Sequence, residues 1–335
     1  MQRSGLPAGA PQLTLALCTI LLGTACSGDN GFVDGDGPLP KLDQQAPVDG
    51  PRGEQYQEPD ITIAPPVTLT VATFNVKNFF DALDDPHHAD DVPTAAEVDA
   101  KIAALGQALR QLKADVLALQ EVENRQLLDR LNQQELASLA YAHVRLIEGN
   151  DIRGINVALL SRYPVPKTTS HVYDRFPGVD GDTKTYGFSR DCLEVTVEPA
   201  SGRQLLLLIN HLRATDGTQE AINRRLAQAQ RVRQIVDDEL KKHPDRNLAV
   251  VGDLNDTPDS KTAQLIRDGN PALADLLTLV PTAERYTYKK QQLDYVLAAP
   301  GLSADLVPGT VKADHGQLFK DASDHYPVVA RFKLE

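Results

Sequence analysis

The chain is short of thiols, aromatic rings and positive charge. Its three cysteines, Cys18, Cys26 and Cys192, form no C-x-x-C pair, which argues against a disulfide framework or a thiolate zinc site. Tryptophan is absent and aromatic residues make up 5%. That leaves little material for an exposed aromatic hairpin of the kind that inserts into a membrane. Acidic residues outnumber basic ones 46 to 34, so the net charge supplies none of the positive field that gathers nucleic acid. No internal repeat is visible. At 335 residues and 41% hydrophobic content, the chain can bury the core of one large domain or two smaller ones.

The N-terminal residues read as an export signal. Arg3 precedes an apolar run from Leu13 to Leu22 that is too short for an ordinary transmembrane helix. Gly23-Thr24-Ala25-Cys26 follows. It resembles a bacterial lipoprotein cleavage box with Cys26 as the acylated residue, although Gly23 stands where a large aliphatic residue is usual. The expectation is a signal over residues 1–26 and a mature protein in the cell envelope, periplasmic or on the outer-membrane surface, anchored by lipid on Cys26. An ordinary secretory peptide cut nearby is the alternative. Residues 27–66 hold eight acids, two bases and thirteen glycines and prolines without hydrophobic periodicity, the composition of a disordered acidic tether.

Beyond Pro66 the pattern becomes dense. Val67, Leu69, Val71 and Thr73 alternate, predicting a strand that ends near Asn75. Thr94 and Glu97 form a capping-box pair, and Val98, Ile102, Leu105, Leu109 and Leu112 continue at helical spacing. Short apolar runs predict further strands at 116–119, 155–161, 193–197, 205–210, 249–252, 293–298 and 328–332, and an amphipathic helix fits 219–240. Strands interleaved with helices over residues 67–335 point to one layered α/β domain.

Several of these strands end in a carboxylate, carboxamide or imidazole: Asn75, Glu121, Asn210-His211, Asp253-Leu254-Asn255, Asp294 and Asp324-His325. Strand ends of an α/β sheet are where distant residues are aimed into one crevice. Oxygen-rich groups with few histidines favour a hard cation such as Mg²⁺, Mn²⁺ or Ca²⁺ over zinc. Taken in order, Thr73-Phe74-Asn75-Val76, Leu119-Gln120-Glu121-Val122-Glu123-Asn124, Gly252-Asp253-Leu254-Asn255, Leu293-Asp294-Tyr295 and Ser323-Asp324-His325-Tyr326-Pro327 resemble the signature blocks of the endonuclease/exonuclease/phosphatase (deoxyribonuclease I-like) superfamily. The segment Asp151 to Arg162 and Asn210-His211-Leu212-Arg213 resemble its exported bacterial nuclease-like branch.

The resemblance implies a four-layer α/β sandwich, two packed mixed β-sheets flanked by helices. It also implies a phosphodiester hydrolase dependent on Mg²⁺ or Mn²⁺. Glu121 would be a metal ligand, with Asn75 and Asp324 near the same ion. Asp253 would orient or deprotonate the attacking water, and Asn255 would hold that water or the phosphate. His325, paired with Asp294, would stabilise developing charge, and His211 would contact phosphate. Gln292 stands where many relatives have arginine, and Arg213 where lysine is common. Arg153, Arg190 and Arg213 are candidates for holding substrate phosphate, because guanidinium binds it bidentately. A surface or ion-pair role for each is the competing account.

The acidic insertion with Asp81, Asp84, Asp85, His87, His88, Asp90 and Asp91 could hold a structural Ca²⁺, but reads better as a solvated loop. The basic residues Arg224, Arg225, Arg231 and Arg233 read as the solvated face of the long helix. The expected activity is that of an exported, monomeric nuclease acting on DNA or RNA. A phospholipid head-group phosphodiesterase or small-molecule phosphatase is the alternative. A non-catalytic surface-binding protein ranks last, because Glu121, Asp253 and His325 are all present.

Overall fold

The computed structural model describes residues 67–334; the signal, the tether and Cys26 lie outside them. In chain order the strands are β1 (Val67–Phe79), β2 (Val116–Val122), β3 (His143–Leu146), β4 (Asn156–Ser161), β5 (Lys167–Thr169), β6 (Phe176–Pro177), β7 (Thr185–Tyr186), β8 (Cys192–Val197), β9 (Leu205–His211), β10 (Asn247–Asp253), β11 (Ala274–Asp275), β12 (Asp294–Ala298), β13 (Lys312–Ala313) and β14 (Val328–Leu334). The helices are α1 (Ala95–Leu112), α2 (Arg125–Glu135), α3 (Gln219–Lys242), α4 (Lys261–Arg267), α5 (Pro300–Ala304) and α6 (Gln317–Ala322). One mixed sheet has the order β13-β14-β1-β2-β4-β3 and the other β11-β12-β10-β9-β8-β5, with β6 and β7 forming a separate pair.

Strand alternation builds the layers. Leu69 and Val71 of β1, Val116 and Ala118 of β2, and Val157 and Leu159 of β4 face Leu205, Leu207 and Ile209 of β9, Ala249 and Val251 of β10, and Val296 of β12 in one core between the sheets. The intervening residues Phe74, Leu117, Leu119 and Leu160 pack with α1, α2 and α6 on one outer face. Leu206, Leu208, Val250 and Leu297 pack with α3 and α4 on the other. Helix, sheet, sheet and helix are thus stacked, which is the predicted architecture. Each large aliphatic side chain fully buried in such layers contributes roughly 1.5–3 kcal/mol.

The predicted elements are present, with ends that move by a few residues. α1 begins at the Thr94–Glu97 capping box and buries the five predicted apolar positions. β1 runs on past Asn75 to Phe79 because its pairing with β2 shifts register between those residues. The basic face predicted for the long helix is a correction. Arg225 and Arg233 are buried, Arg225 against Asp256 at 3.0 Å and Arg233 bonded to the Ile266 and Pro271 carbonyls. The long stems of arginine let a helix put such residues on its packed side while the guanidinium finds an acceptor.

Candidate active site

The second sheet supplies a row of polar groups at its rim. Asp253 closes β10 and is the Cα partner of His211 on parallel β9 and of Asp294 on antiparallel β12. All three continue the parity of Ile209, Val251 and Val296, so the face that is hydrocarbon along the sheet becomes ionisable at its edge. Gly252 permits the register: its φ is +119°, and a Cβ there would meet the Asn210 carbonyl oxygen at 2.0 Å. The Thr287 hydroxyl accepts the backbone N–H groups of Leu293 and Asp294, both at 3.0 Å, and fixes the start of β12.

The first sheet faces this row with Asn75 and Glu121. Asn75 follows the parity of Val71 and Thr73 and points between the sheets. Glu121 should not, since Leu117 and Leu119 face the helices. A bulge redirects it: the β2–β4 register shifts between Gln120 and Val122, and Glu121 takes a left-handed φ of +65°. A non-glycine residue in that region costs on the order of 1–3 kcal/mol, and the side chain is held by partners on β1. Asn75 Nδ2 donates to Glu121 Oε1 at 3.1 Å and to Asp253 Oδ2 at 3.0 Å, and the Asn78 N–H donates to Glu121 Oε2 at 2.8 Å. Asn75 therefore joins the two sheets.

His325 arrives from the loop after α6. Phe319 of that helix packs edge-on against Phe74 at 5.9 Å, and the Ser323 hydroxyl donates to the Asn75 carbonyl at 2.7 Å. So anchored, the loop places His325 Nδ1 at 2.8 Å from Asp294 Oδ2 and Nε2 at 3.9 Å from Asp253 Oδ2. His211 Nε2 lies 3.6 Å from Asp253 Oδ2 and 3.8 Å from Glu121 Oε1. Asn255 donates its backbone N–H to Asp253 Oδ1 at 2.8 Å. Asp324 is more exposed and sits 3.5 Å from the Lys77 ammonium.

These surroundings separate the protonation states. Burial and the neighbouring Asp294 charge raise the Asp253 carboxyl to about 7, against the opposing pull of His325, Asn255 and Asn75. Burial disfavours a charged His325, but Asp294 outweighs it through charge and hydrogen bond, lifting the imidazole to about 10. His211 is held well below its ordinary value by burial, by Arg190 and by His325. At neutral pH one imidazole is charged and the other neutral.

Asn78, Glu121, Arg153, Arg190, His211, Asp253, Asn255, Asp324 and His325 line one cleft of about 550 Å³. Of the candidate arginines, Arg153 faces it with a side chain 39% exposed. Arg190 reaches it but is buried and paired with Asp151 at 2.8 Å. Arg213 is not brought there; it bonds Asp216 at 2.8 Å and lines an adjacent cavity. Sequence reasoning missed Lys77, Asn78, Thr287, Tyr288 and Arg225. Lys77 and Asn78 follow directly on the Asn75 block, while Thr287, Tyr288 and Arg225 carry no local sequence signal of their placement.

Two groups of side chains could hold a cation. Asp253, Asp294 and His325 present ligand atoms within 4.8 Å of one another, but a charged imidazole bonded to Asp294 has no lone pair to give. Asn75, Glu121 and Asp324 offer hard oxygen donors, and the Lys77 ammonium beside Asp324 shows that positive charge is accommodated there. That set fits Mg²⁺ or Mn²⁺. In the acidic insertion the carboxylates cap backbone instead: Asp81 accepts from Leu83, Asp85 from His87 and Asp90 from Asp85. Among the described residues no acidic or histidine trio besides that of the cleft comes within 4.8 Å, which favours the loop over a structural Ca²⁺ site.

A two-sheet sandwich with this rim constellation defines a phosphoesterase-type hydrolase. The model of the Endonuclease/Exonuclease/phosphatase family matches residues 70–272, and the chain belongs to that family, whose enzymes use divalent metals. Similar solved structures include the human Nocturnin catalytic domain with bound sulfate, at 18% identity and TM-score 0.58 over 80% of this chain and 95% of that one. An endonuclease/exonuclease/phosphatase protein from Beutenbergia cavernae DSM 12333 is 23% identical, with TM-score 0.54 over 80% and 72%. TDP2 from D. rerio, complexed with single-strand DNA product, is 17% identical, with TM-score 0.50 over 79% and 98%. These likenesses establish the fold. No curated protein matches the chain.

Proposed function

We propose that the chain is an exported, divalent-metal-dependent phosphodiesterase that cleaves nucleic acid by attack of water. The observation that carries this reading is the Asn75 bridge, which sets Glu121 of one sheet against the Asp253, Asp294 and His325 group of the other. The TDP2 neighbour with a bound DNA product supports a nucleic-acid substrate.

Glu121, Asn75 and Asp324 would hold the cation, which supplies charge neutralisation at the phosphoryl group. Asp253 orients the water and accepts its proton, a role that suits a carboxyl poised near neutral pH. Asp294 fixes Nδ1 of His325, so that Nε2–H is presented to a phosphate oxygen where charge builds. His211, neutral and wedged between Asp253 and Glu121, orients a second oxygen, and Asn255 steadies the Asp253 carboxylate through its backbone N–H. Arg153 meets the phosphate at the cleft wall.

The test is hydrolysis of plasmid DNA, single strands, RNA, sphingomyelin and an aryl phosphodiester with Mg²⁺, Mn²⁺ or Ca²⁺. Nucleic acid and the aryl diester should be cleaved, and chelation or His325→Ala should abolish this. Turnover of sphingomyelin with nucleic acid untouched would replace the reading with a phospholipid one. A folded protein that hydrolyses nothing in the panel would overturn it.

A further inference from the structure

The cleft does not end at the reacting groups. Through Lys77, Asn78 and Asp324 it opens into a larger groove of about 960 Å³. Four lysines line that groove: Lys77, Lys101, Lys289 and Lys320. The acids on its walls are mostly engaged. Glu97 is held by the backbone and hydroxyl of Thr94, Asp321 accepts from Gln317, and Asp324 faces Lys77; Asp91 also lines the groove. Among the described residues, Lys101, Lys289 and Lys320 have no carboxylate within 4.0 Å; Lys77 pairs with Asp324 at 3.5 Å. Lys101 is half-buried and donates to the Ala322 carbonyl at 2.7 Å, which among the described residues leaves two of its three N–H donors without a partner.

Lys289 sits at the tip of a tight hairpin built on the active site. Tyr288 and Gln291 exchange backbone hydrogen bonds at 3.0 and 2.8 Å, and Lys289 takes a left-handed φ of +51°. The Tyr288 backbone also bridges His325, and the Tyr288 ring lies 4.7 Å from the imidazole. The Lys289 ammonium stands 4.8 Å from the centre of the Tyr288 ring. The exposed lysine is therefore carried by a hairpin whose place is set against His325.

We propose that this groove is a second anion subsite, in which Lys101, Lys289 and Lys320 hold a phosphate that flanks the one being cleaved. The preferred substrate is then an oligonucleotide rather than an isolated phosphodiester. The four lysines offer contacts that position the strand without reading its bases, and in formal charge they balance the four carboxylates of the groove, Asp91, Glu97, Asp321 and Asp324. It rests on the phosphodiesterase reading above.

The experiment uses the full chain and the exposed-site variant K289Q/K320Q, with K289E/K320E as a stronger perturbation. Two substrates are compared: a labelled single-stranded 12-mer and bis(p-nitrophenyl) phosphate, which has one phosphate and no flanking one. KM for the 12-mer should rise about tenfold at low salt in K289Q/K320Q and more in the glutamate variant. Its log–log salt slope should fall by about 0.7, the contribution of one single-strand phosphate. Turnover of the aryl diester should stay within about twofold. An unchanged KM and salt slope for the 12-mer, with aryl turnover intact, would overturn the subsite and leave the phosphodiesterase reading standing. Equal losses on both substrates would also overturn it, by showing general damage. If neither substrate is cleaved, the phosphodiesterase reading fails instead. Fluorescence anisotropy of the labelled 12-mer in EDTA then decides the subsite: binding weakened by K289E/K320E supports it, and binding indifferent to it refutes it.

Discussion

Replacing Asp151 by asparagine removes one charge from a pair that water barely reaches. The side chains of Arg190 and Asp151 are 2% and 4% exposed, with Nη2 and Oδ2 2.8 Å apart. Among the described residues Arg190 has one further bond, from Nη1 to the Leu212 carbonyl at 3.2 Å, and its Nε has no partner. Once the carboxylate is neutral, a buried guanidinium is left with amide and carbonyl dipoles alone. Breaking such a pair from one side costs about 3–5 kcal/mol, whereas removing both charges costs far less. Asp151→Asn should therefore lower the melting temperature by roughly 10 °C, at the 2–4 °C per kcal/mol usual for a domain of this size. The Asp151→Leu/Arg190→Met double variant should recover most of that loss. Urea unfolding followed by circular dichroism measures both. A loss under about 1 kcal/mol for Asp151→Asn, or a double variant worse than the two single changes summed, would refute the assignment of Arg190 to structure. Arg153, on the exposed side of Asp151, should behave differently: Arg153→Gln should raise KM while stability stays within about 0.5 kcal/mol.

The roles of the two acidic groups can be separated by metal titration. Glu121→Gln should lose activity that returns in part at high metal, while Asp253→Asn should lose about 10²–10⁴-fold without rescue; equal rescue of both would show the roles misassigned. His171 gives a pH test of stability. Burial opposes its charge, but the hydrogen bonds it donates to Glu194 and Asp174 raise its pKa above 6.5. Its contribution should be fully present below about 6.5 and fade as pH rises through the raised value. The stability gap to His171→Gln, measured by urea unfolding, should narrow with rising pH, and a gap that widens would contradict the pairing. The expected lipid anchor is checked by fatty-acid labelling, which Cys26→Ser should abolish; equal labelling of both proteins would exclude Cys26.

The strands and their polar ends were legible because two local signals coincided. Alternation marks a strand with one face on a core, and a carboxylate or imidazole appearing at a core-facing position marks its rim. Asn75, His211, Asp253 and Asp294 all obey that rule. Glu121 does not: period-two counting sends it toward α1, and only the bulge, a tertiary event with no local code, turns it inward. The burial of Arg225 and Arg233 was hidden for a related reason. Charge reads as solvent exposure until Asp256 for one and carbonyls near residue 270 for the other are brought in from outside the helix, the latter adding to the pair that Arg233 makes with Asp237 on α3 itself. The hairpin at Tyr288 was invisible because its value lies in what it overhangs.

The route of the chain through the two sheets carries a temporal consequence. β1 opens the described chain and is flanked by β14, which closes it. The whole second sheet is synthesised between them, and His325 reaches Asp294 only once α6 and β14 exist. A nascent or truncated product lacking that last segment would carry Asn75, Glu121, His211 and Asp253 yet have no imidazolium to complete them. On the proposed mechanism the site is therefore closed late, by the segment after α6, and a chain cut before α6 would bring Asp253 and Asp294 together without their imidazole partner.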